Sequence, residues 1–266
     1  DIDNNSPHVW LADESVGIGD PKAYLDIEKI IEVAKITKAN AVHPGYGFLA
    51  ENPDFAKACM RDNIKFIGPT AESMIAFADK RAARVLATKS GVPVIPGAEK
   101  CDNIEQAKVA ANLVGYPVLI KAAGGGGGKG MRLAENEASL KSSFDSAKRE
   151  ALSSFNDDRL LVEKYIYPAR HIEVQVLGNG SEGIAVGERE CSLQRRYQKI
   201  IEETPSISIS EKLRKALFDS AIKLIKAANY HGAGTVEFLV GPDEQHYFLE
   251  VNTRLQVEHP VTEMVY

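Results

Sequence analysis

In the stretch "GTVEFLVGPDEQHYFLEVNTR", residues 234–254, two runs of alternating apolar and polar residues flank "GPDEQ", the pattern of a β-hairpin. Strict alternation along the second run puts Phe248, Glu250, Asn252 and Arg254 on one face, with Tyr247, Leu249, Val251 and Thr253 on the other. Folding the hairpin about its turn sets Glu237 opposite Glu250. Two facing carboxylates repel unless positive charge lies between them. With Asn252 one step along the same face, the cluster offers only hard oxygen donors. Such a set suits Mg²⁺ or Mn²⁺ held together with phosphate oxygens and water. A solvated face on which the charges stay apart is the plainer alternative, and Phe248 on the same face argues for partial cover. Arg254 and Glu258 lie just beyond, as a cation and a candidate base.

A second feature is "IKAAGGGGGKGMRLA", residues 120–134, with five consecutive glycines followed by Lys129 and Gly130. A flexible linker would explain the glycines, but strand-like apolar sequence enters and leaves them directly, which makes the run a loop within a domain. A Walker A loop needs Gly where Ala123 stands and Ser or Thr after the lysine, where Gly130 stands. The match to GxGxxG arises from sheer abundance of glycine, and no helix follows it. What remains is a hairpin loop that closes over an anionic ligand, its backbone N–H groups free to converge on phosphate oxygens.

Lys121 ends the strand entering that loop, Lys80 follows "AFAD", and Lys199 closes "CSLQRRYQK". Singly, each reads as ordinary surface. Together with a glycine loop and paired carboxylates they form the set that phosphoryl transfer needs, in which cations and a metal offset charge on the moving group. His171 alternates with Ile172 and Val174, so it faces the polar side of its strand, as a structural histidine also could. "HPGYGF", residues 43–48, reads as a loop after a strand, where parallel sheets bind ligands. Cys191 reads as core.

The elements that position these residues follow from periodicity. "YLDIEKIIEVAKIT" gathers Ile27, Ile30, Ile31 and Ala34 on one helical face; "AVH" and "KFIG" are short strands with a helix between them, an α/β unit. Helices are expected near 104–114, 135–151 and 210–230, and strands in "YPVLIKA", "GMRLA", "RLLVEKYI", "RHIEVQVLG" and "GIAVGERECS". The last two thirds are therefore mixed, with antiparallel sheet dominant. The 266 residues carry 44% hydrophobic residues, enough for a proper core. A net charge of −5 marks the surface for neither nucleic acid nor anionic membrane. Cys59, Cys101 and Cys191 have no ligand or disulfide spacing, which suits a reducing compartment. No apolar run is long enough to span a bilayer. Asp1 rather than Met opens the sequence and an apparent helix start closes it, so it reads as a piece of a longer polypeptide.

The blocks "HPGYGFLAEN", "FIGPTAE", "IKAAGGGGGKGMR", "VEKYI", "RHIEVQVL", "ERECSLQRRYQK", "GAGTVEF" and "LEVNTRLQVEHPVTEMV" together resemble the biotin carboxylase family of ATP-grasp enzymes over essentially the whole chain. The resemblance implies an α/β and α+β fold. Residues 1–80 would be a Rossmann-like N-terminal domain lacking its first strand–helix unit, and 81–92 a connecting helix. Residues 93–165 would be the small lid subdomain of the ATP-grasp fold and 166–266 its larger, C-terminally truncated antiparallel subdomain. Residue by residue, it implies nucleotide phosphates at Lys80 and Lys121, a lid containing Gly127 and Gly128, and an adenine pocket at Glu163, Lys164, Tyr165 and Ile166. His171 would lie near the ribose, with Gln194 also at the nucleotide. Glu237, Glu250 and Asn252 would hold Mg²⁺ or Mn²⁺. Lys199, Arg254, Gln256 and Val257 would hold bicarbonate, Glu258 would deprotonate it, and Tyr46, Gly47 and Arg254 would meet biotin. Relatives carry histidine where this chain has Tyr197, which leaves that nucleotide contact in doubt. The arginine that steadies the biotin enolate in the family would lie beyond Tyr266.

The implied activity is ATP- and bicarbonate-dependent carboxylation of biotin through carboxyphosphate. The implied partners are a biotin carboxyl carrier protein, a carboxyltransferase and a second copy of the chain, in the cytoplasm or, in a eukaryote, the mitochondrion. Alternatives are the corresponding domain of a pyruvate or urea carboxylase, a carbamoyl-phosphate synthetase-like ligase, and a non-catalytic ATP-binding module.

Overall fold

The computed structural model describes residues 2–123, 130–195 and 198–266, so the glycine loop with Gly127, Gly128 and Lys129, and Tyr197 with its neighbour Arg196, lie outside the described residues. The first part is helical around a short parallel pair. Helices α1 (Pro7–Leu11) and α2 (Ile27–Ile36) precede strand β1 (Ala41–Val42), and α3 (Pro53–Arg61) connects it to β2 (Lys65–Phe66). Local sequence sets these boundaries. The Asp26 carboxylate accepts from Lys29 N at the start of α2, and Asn52 accepts from Asp54 N and Phe55 N before Pro53 at the start of α3. Ile31 and Ala34 are buried from α2 and Phe55 and Cys59 from α3, forming one core with α4 (Ala71–Ala78).

Helix α5 (Lys80–Lys89), capped by Asp79, leads into a four-stranded sheet. Its strands are β3 (Gly97–Cys101), β4 (Val118–Ala122), β5 (Met131–Ala134) and β6 (Leu160–Lys164), in the order β3-β6-β4-β5. Helices α6 (Ile104–Val114) and α7 (Glu137–Phe155) cover one face, against which Val118 and Ile120 are fully buried. Period-2 geometry turns the intervening Leu119 and Lys121 to the other face.

The largest unit is a five-stranded antiparallel sheet, ordered β11-β10-β7-β8-β9. Its strands are β7 (Arg170–Asn179), β8 (Gly183–Arg195), β9 (Gln198–Glu203), β10 (His231–Val240) and β11 (His246–Asn252). Helix α8 (Glu211–Ala227) seals one face against Ile172, Val174, Val176, Val236 and Phe238; a short helix α9 (His259–Glu263) ends the fold. The mixed architecture agrees with the expectation from sequence.

Two features depart from strict alternation. Strand β8 runs on to Arg195 and returns as β9, a hairpin the polar "QRRYQK" did not suggest, and it pairs Gln194 with Lys199. In the hairpin of β10 and β11, Glu237 pairs with Glu250 as expected, but Phe238 then pairs with Phe248, leaving Leu249 as an extra residue. The bulge reverses the face of everything before it. Phe248 is therefore buried beside Phe238 under α8 and does not share the face of Glu250 and Asn252.

Candidate functional site

The register of the large sheet lines up four charged residues across neighbouring strands. Arg189 on β8 pairs with Glu173 on β7, Glu173 with Glu237 on β10, and Glu237 with Glu250 on β11. All four lie on the face away from α8. Glu237 and Glu250 of this row form the floor of a cavity of about 640 Å³ whose opposite wall comes from the four-stranded sheet, a size typical of small-molecule sites, while Glu173 and Arg189 are buried beside it.

Three facing carboxylates demand cations, and the chain supplies them. The Lys199 ammonium, carried in by the β8–β9 hairpin, bonds a Glu173 oxygen, Glu237 Oε1 at 3.0 Å and Glu258 Oε1 at 2.8 Å. Burial opposes its charge, but Glu237 and Glu173 outweigh burial and hold its pKa well above that of an ordinary lysine. His171 Nε2 lies 2.7 Å from Glu237 Oε2, and His171 Nδ1 lies 2.8 Å from Gln194 Nε2. Burial disfavours the imidazolium, yet Glu237 lifts the pKa of His171 above the usual histidine range. Burial likewise disfavours the charge on Glu237; His171 and Lys199 overcome it and hold that carboxyl far below the normal range. At the end of the row, Lys80 Nζ lies 3.4 Å from Glu250 Oε2.

Above this floor, Ile95, Leu119, Met131, Leu161 and Leu239 form an apolar slot in the cavity, with Tyr165 and Ile166 at its side, suited to a flat ring. Glu163 is buried at its end, gripped by Arg84 Nη1 on one oxygen and Lys121 Nζ on the other, each at 2.5 Å. The Lys164 ammonium turns away, donating to the carbonyls of Gly115 and Tyr116 at 3.0 Å. At the opposite end stand Arg254, Gln256, Val257 and Glu258. Arg254 Nε donates to Glu51 Oε2 at 2.9 Å, and its Nη2 to Asn252 Oδ1 at 3.2 Å. Burial pushes the Glu258 carboxyl up, but the Lys199 ammonium more than reverses this, so it stays ionised below the ordinary range. Tyr46 lines the cavity and Gly47 beside it does not.

The oxygen-rich floor fits a divalent cation. Glu237 and Glu250 face each other directly, and Asn252 adjoins them, its amide nitrogen 2.7 Å from Glu237 Oε1. His171, Glu173 and Glu237 also bring ligand atoms within 4.8 Å of one another. Lys199 bonds both carboxylates of that set, whereas of Glu237 and Glu250 it bonds only Glu237, and the Glu250 side chain is open to the cavity, so Glu237, Glu250 and Asn252 fit a hard cation better.

Sequence reasoning missed Glu173, Arg189, Glu51 and Arg84. Glu173 was findable: it shares an alternating face with His171 in an otherwise apolar strand. Arg189 in "GERECS" and Arg84 in an amphipathic helix read as surface charges, and nothing local ties Glu51 to residues 202 positions away. Cys59, Cys101 and Cys191 are free and buried. No helix of the described residues is long and apolar enough to cross a membrane.

Residues 79–266 match the family model described as "Carbamoyl-phosphate synthase L chain, ATP binding domain", and residues 1–74 that of "Biotin carboxylase, N-terminal domain". Among curated relatives, the chain is 51% identical over 270 residues to the mitochondrial methylcrotonoyl-CoA carboxylase subunit alpha of Dictyostelium discoideum, covering 100% of this chain and 39% of that protein. It is 47% identical over 272 residues to biotin carboxylase 1 of Bacillus subtilis, covering 100% of this chain and 60% of that one. A crystal structure of a biotin carboxylase–β,γ-ATP complex from Campylobacter jejuni superposes with a TM-score of 0.95 at 50% identity, over 99% of this chain and 60% of that one. The chain thus spans between about two fifths and three fifths of these relatives.

Proposed function

The chain belongs to the biotin carboxylase family of ATP-grasp proteins, and from that premise we propose that it carries out ATP- and bicarbonate-dependent carboxylation of biotin borne on a carrier protein. The observation that carries this reading is the pair Glu237 and Glu250 on the cavity floor, with Lys80, Lys199 and His171 against their carboxylates and Arg254 and Glu258 lining the same cavity.

In this reading the apolar slot takes adenine, and the triphosphate runs along the floor toward Arg254. Glu237, Glu250 and Asn252 would hold Mg²⁺ or Mn²⁺, which neutralises charge on the phosphates. Lys80 and Lys121 sit where they neutralise more. Bicarbonate is held by Lys199, Arg254, Gln256 and Val257. The ionised Glu258 removes its proton, and the resulting carbonate oxygen attacks the γ-phosphorus as the bond to the bridging oxygen breaks and ADP leaves. The carboxyphosphate so formed releases CO₂ and phosphate. The phosphate takes the proton from the biotin ureido nitrogen, which then attacks CO₂. Carboxyphosphate hydrolyses readily, so excluding water from the cavity serves the chemistry. Tyr46 and Arg254 would meet the biotin ring.

A carrier protein, a carboxyltransferase and a second copy of the chain are the partners this reading requires. The family model shared with carbamoyl-phosphate synthase supplies a second reading, an ATP-grasp ligase acting on an amine. ATP turnover measured with and without bicarbonate and free biotin separates them. Biotin-stimulated, bicarbonate-dependent turnover is expected. Biotin-indifferent turnover with an amine acceptor favours the second reading, and nucleotide binding without turnover defeats both.

A further inference from the structure

Arg189 is wholly buried, yet each of its N–H groups has an acceptor. Nε donates to Glu173 Oε1 at 2.5 Å, and Nη1 to Gln175 Oε1 at 2.9 Å and Thr262 Oγ1 at 2.8 Å. Nη2 donates to Thr235 Oγ1 at 3.2 Å and Gln256 Oε1 at 2.8 Å. One guanidinium therefore ties β7 and β10 to the 254–258 segment and α9.

Two of these acceptors lead into the cavity. The second oxygen of Glu173 bonds the Lys199 ammonium, which continues to Glu258. Arg189 offsets the charge of Glu173, a fully buried carboxylate that would otherwise hold the lysine to itself. Gln256 is the other. A carboxamide can present either end to its surroundings, but arginine has no acceptor, so only Oε1 can face Arg189. The Gln256 NH₂ is thereby turned toward the cavity, 3.4 Å from Glu237 Oε1.

We propose that Arg189 is a positioning residue for the anionic substrate: through Glu173 it aims the Lys199 ammonium, and through Gln256 it aims a carboxamide donor, at the place beside Arg254 where a planar oxyanion of the bicarbonate class binds. The proposal rests on the functional reading above. It predicts an effect confined to one substrate, because no nitrogen of Arg189 reaches the adenine slot or Lys80.

The test is steady-state kinetics of the holoenzyme with Arg189→Lys, which keeps the charge but cannot span five acceptors. The KM for bicarbonate is expected to rise about tenfold, the loss of alignment equivalent to one charge-assisted hydrogen bond. The KM for ATP is expected to stay within about twofold, since Lys80, Lys121 and Glu250 keep their partners. In a Gln256→Ala background, Arg189→Lys is expected to add little to the bicarbonate KM; full additivity overturns the role of Gln256. An unchanged bicarbonate KM, or an equal rise for both substrates, overturns the proposal. If the lysine variant does not fold, Thr262→Val, which removes one anchor of the guanidinium, takes its place. A smaller rise for bicarbonate alone supports the proposal, and none defeats it. Wild-type enzyme lacking bicarbonate-stimulated turnover would instead sink the functional reading, and this inference with it.

Discussion

Glu237 and Glu250 are direct partners across β10 and β11, yet their carboxylates face different cations: Glu237 is bonded by Lys199 at 3.0 Å and lies 2.7 Å from His171, while Glu250 lies 3.4 Å from Lys80. The pair is also unequal in exposure. The Glu250 side chain is 42% exposed and that of Glu237 only 6%. Like charges at this spacing persist because each has its own counter-charge.

The inequality predicts that the two variants lose activity alike but differ in stability. Glu250→Gln should leave thermal stability nearly unchanged, since an exposed pair contributes little, while metal-dependent ATP turnover falls about 10²-fold or more. Glu237→Gln removes the buried carboxylate that two partly buried cations share and should destabilise the protein by about 3 kcal/mol as well as silencing it. Calorimetry beside turnover assays checks both, and a wild-type rate for Glu250→Gln would remove the metal assignment.

The pairing of Glu237 with Glu250 was legible from sequence because alternation carries through a short hairpin turn. The bulge at Leu249 was not, since one extra residue leaves no mark on composition while it reverses Phe248. The candidate ligands were visible as residue types, but their partners were not. Glu163 between Arg84 and Lys121, and Glu173 between Arg189 and Lys199, depend on partners distant in sequence. Burial makes those contacts strong, and burial of a charge is what a local pattern cannot report.

The Glu258–Lys199 pair makes a pH prediction. The folded carboxyl titrates below its unfolded value because the ammonium outweighs burial. Its contribution to stability is present above the unfolded pKa of about 4.3 and is lost as pH falls through the lower folded value. Glu258 therefore stays ionised throughout the neutral and mildly acidic range, and no acid limb of kcat/KM near pH 6 should arise from it. Lys199→Met removes the counter-charge and should move the Glu258 limb to higher pH; an unmoved profile would show that another group sets it.

His246 works in the opposite sense from His171. Its Nε2 lies 2.9 Å from Ser220 Oγ and its ring 5.6 Å from that of Phe238, and burial pushes its pKa down. The unfolded chain then binds more protons between the lowered value and about 6.5, so this contribution is complete above that pH and shrinks as pH falls through the window. Urea melts across this range should show stability declining toward acid, and His246→Gln should flatten the slope. A slope of the other sign would mean that His171 dominates.

Gly97 on β3 pairs with Glu163 on β6, and a Cβ there would lie 2.2 Å from the Val162 carbonyl oxygen and 2.8 Å from Glu163 Cα. Both obstacles are backbone, so Gly97→Ala must push the strands apart. A loss of about 1–3 kcal/mol is expected, with a raised KM for ATP if the proposed adenine site holds, because β6 supplies Leu161 and Glu163 to the wall of the apolar slot. Unchanged melting and KM would show that the edge strand yields freely.

The link between Glu51 and Arg254 joins the N-terminal domain to the far end of the cavity. Glu51 Oε1 accepts from Thr253 N at 2.9 Å and Thr253 Oγ1 at 3.2 Å, and Oε2 accepts from Arg254 Nε at 2.9 Å. Glu51 is 42% exposed, so its ion pair adds little to stability. Its effect is geometric: without it, Arg254 keeps only Asn252 Oδ1 and the Leu255 carbonyl, each at 3.2 Å, and can swing. Glu51→Ala should therefore leave the melting temperature close to wild type while the KM for bicarbonate rises about tenfold, a misplacement cost. Glu51→Gln keeps a neutral acceptor and should fall between the two. Equal kinetics for all three proteins would show that Arg254 holds its place unaided.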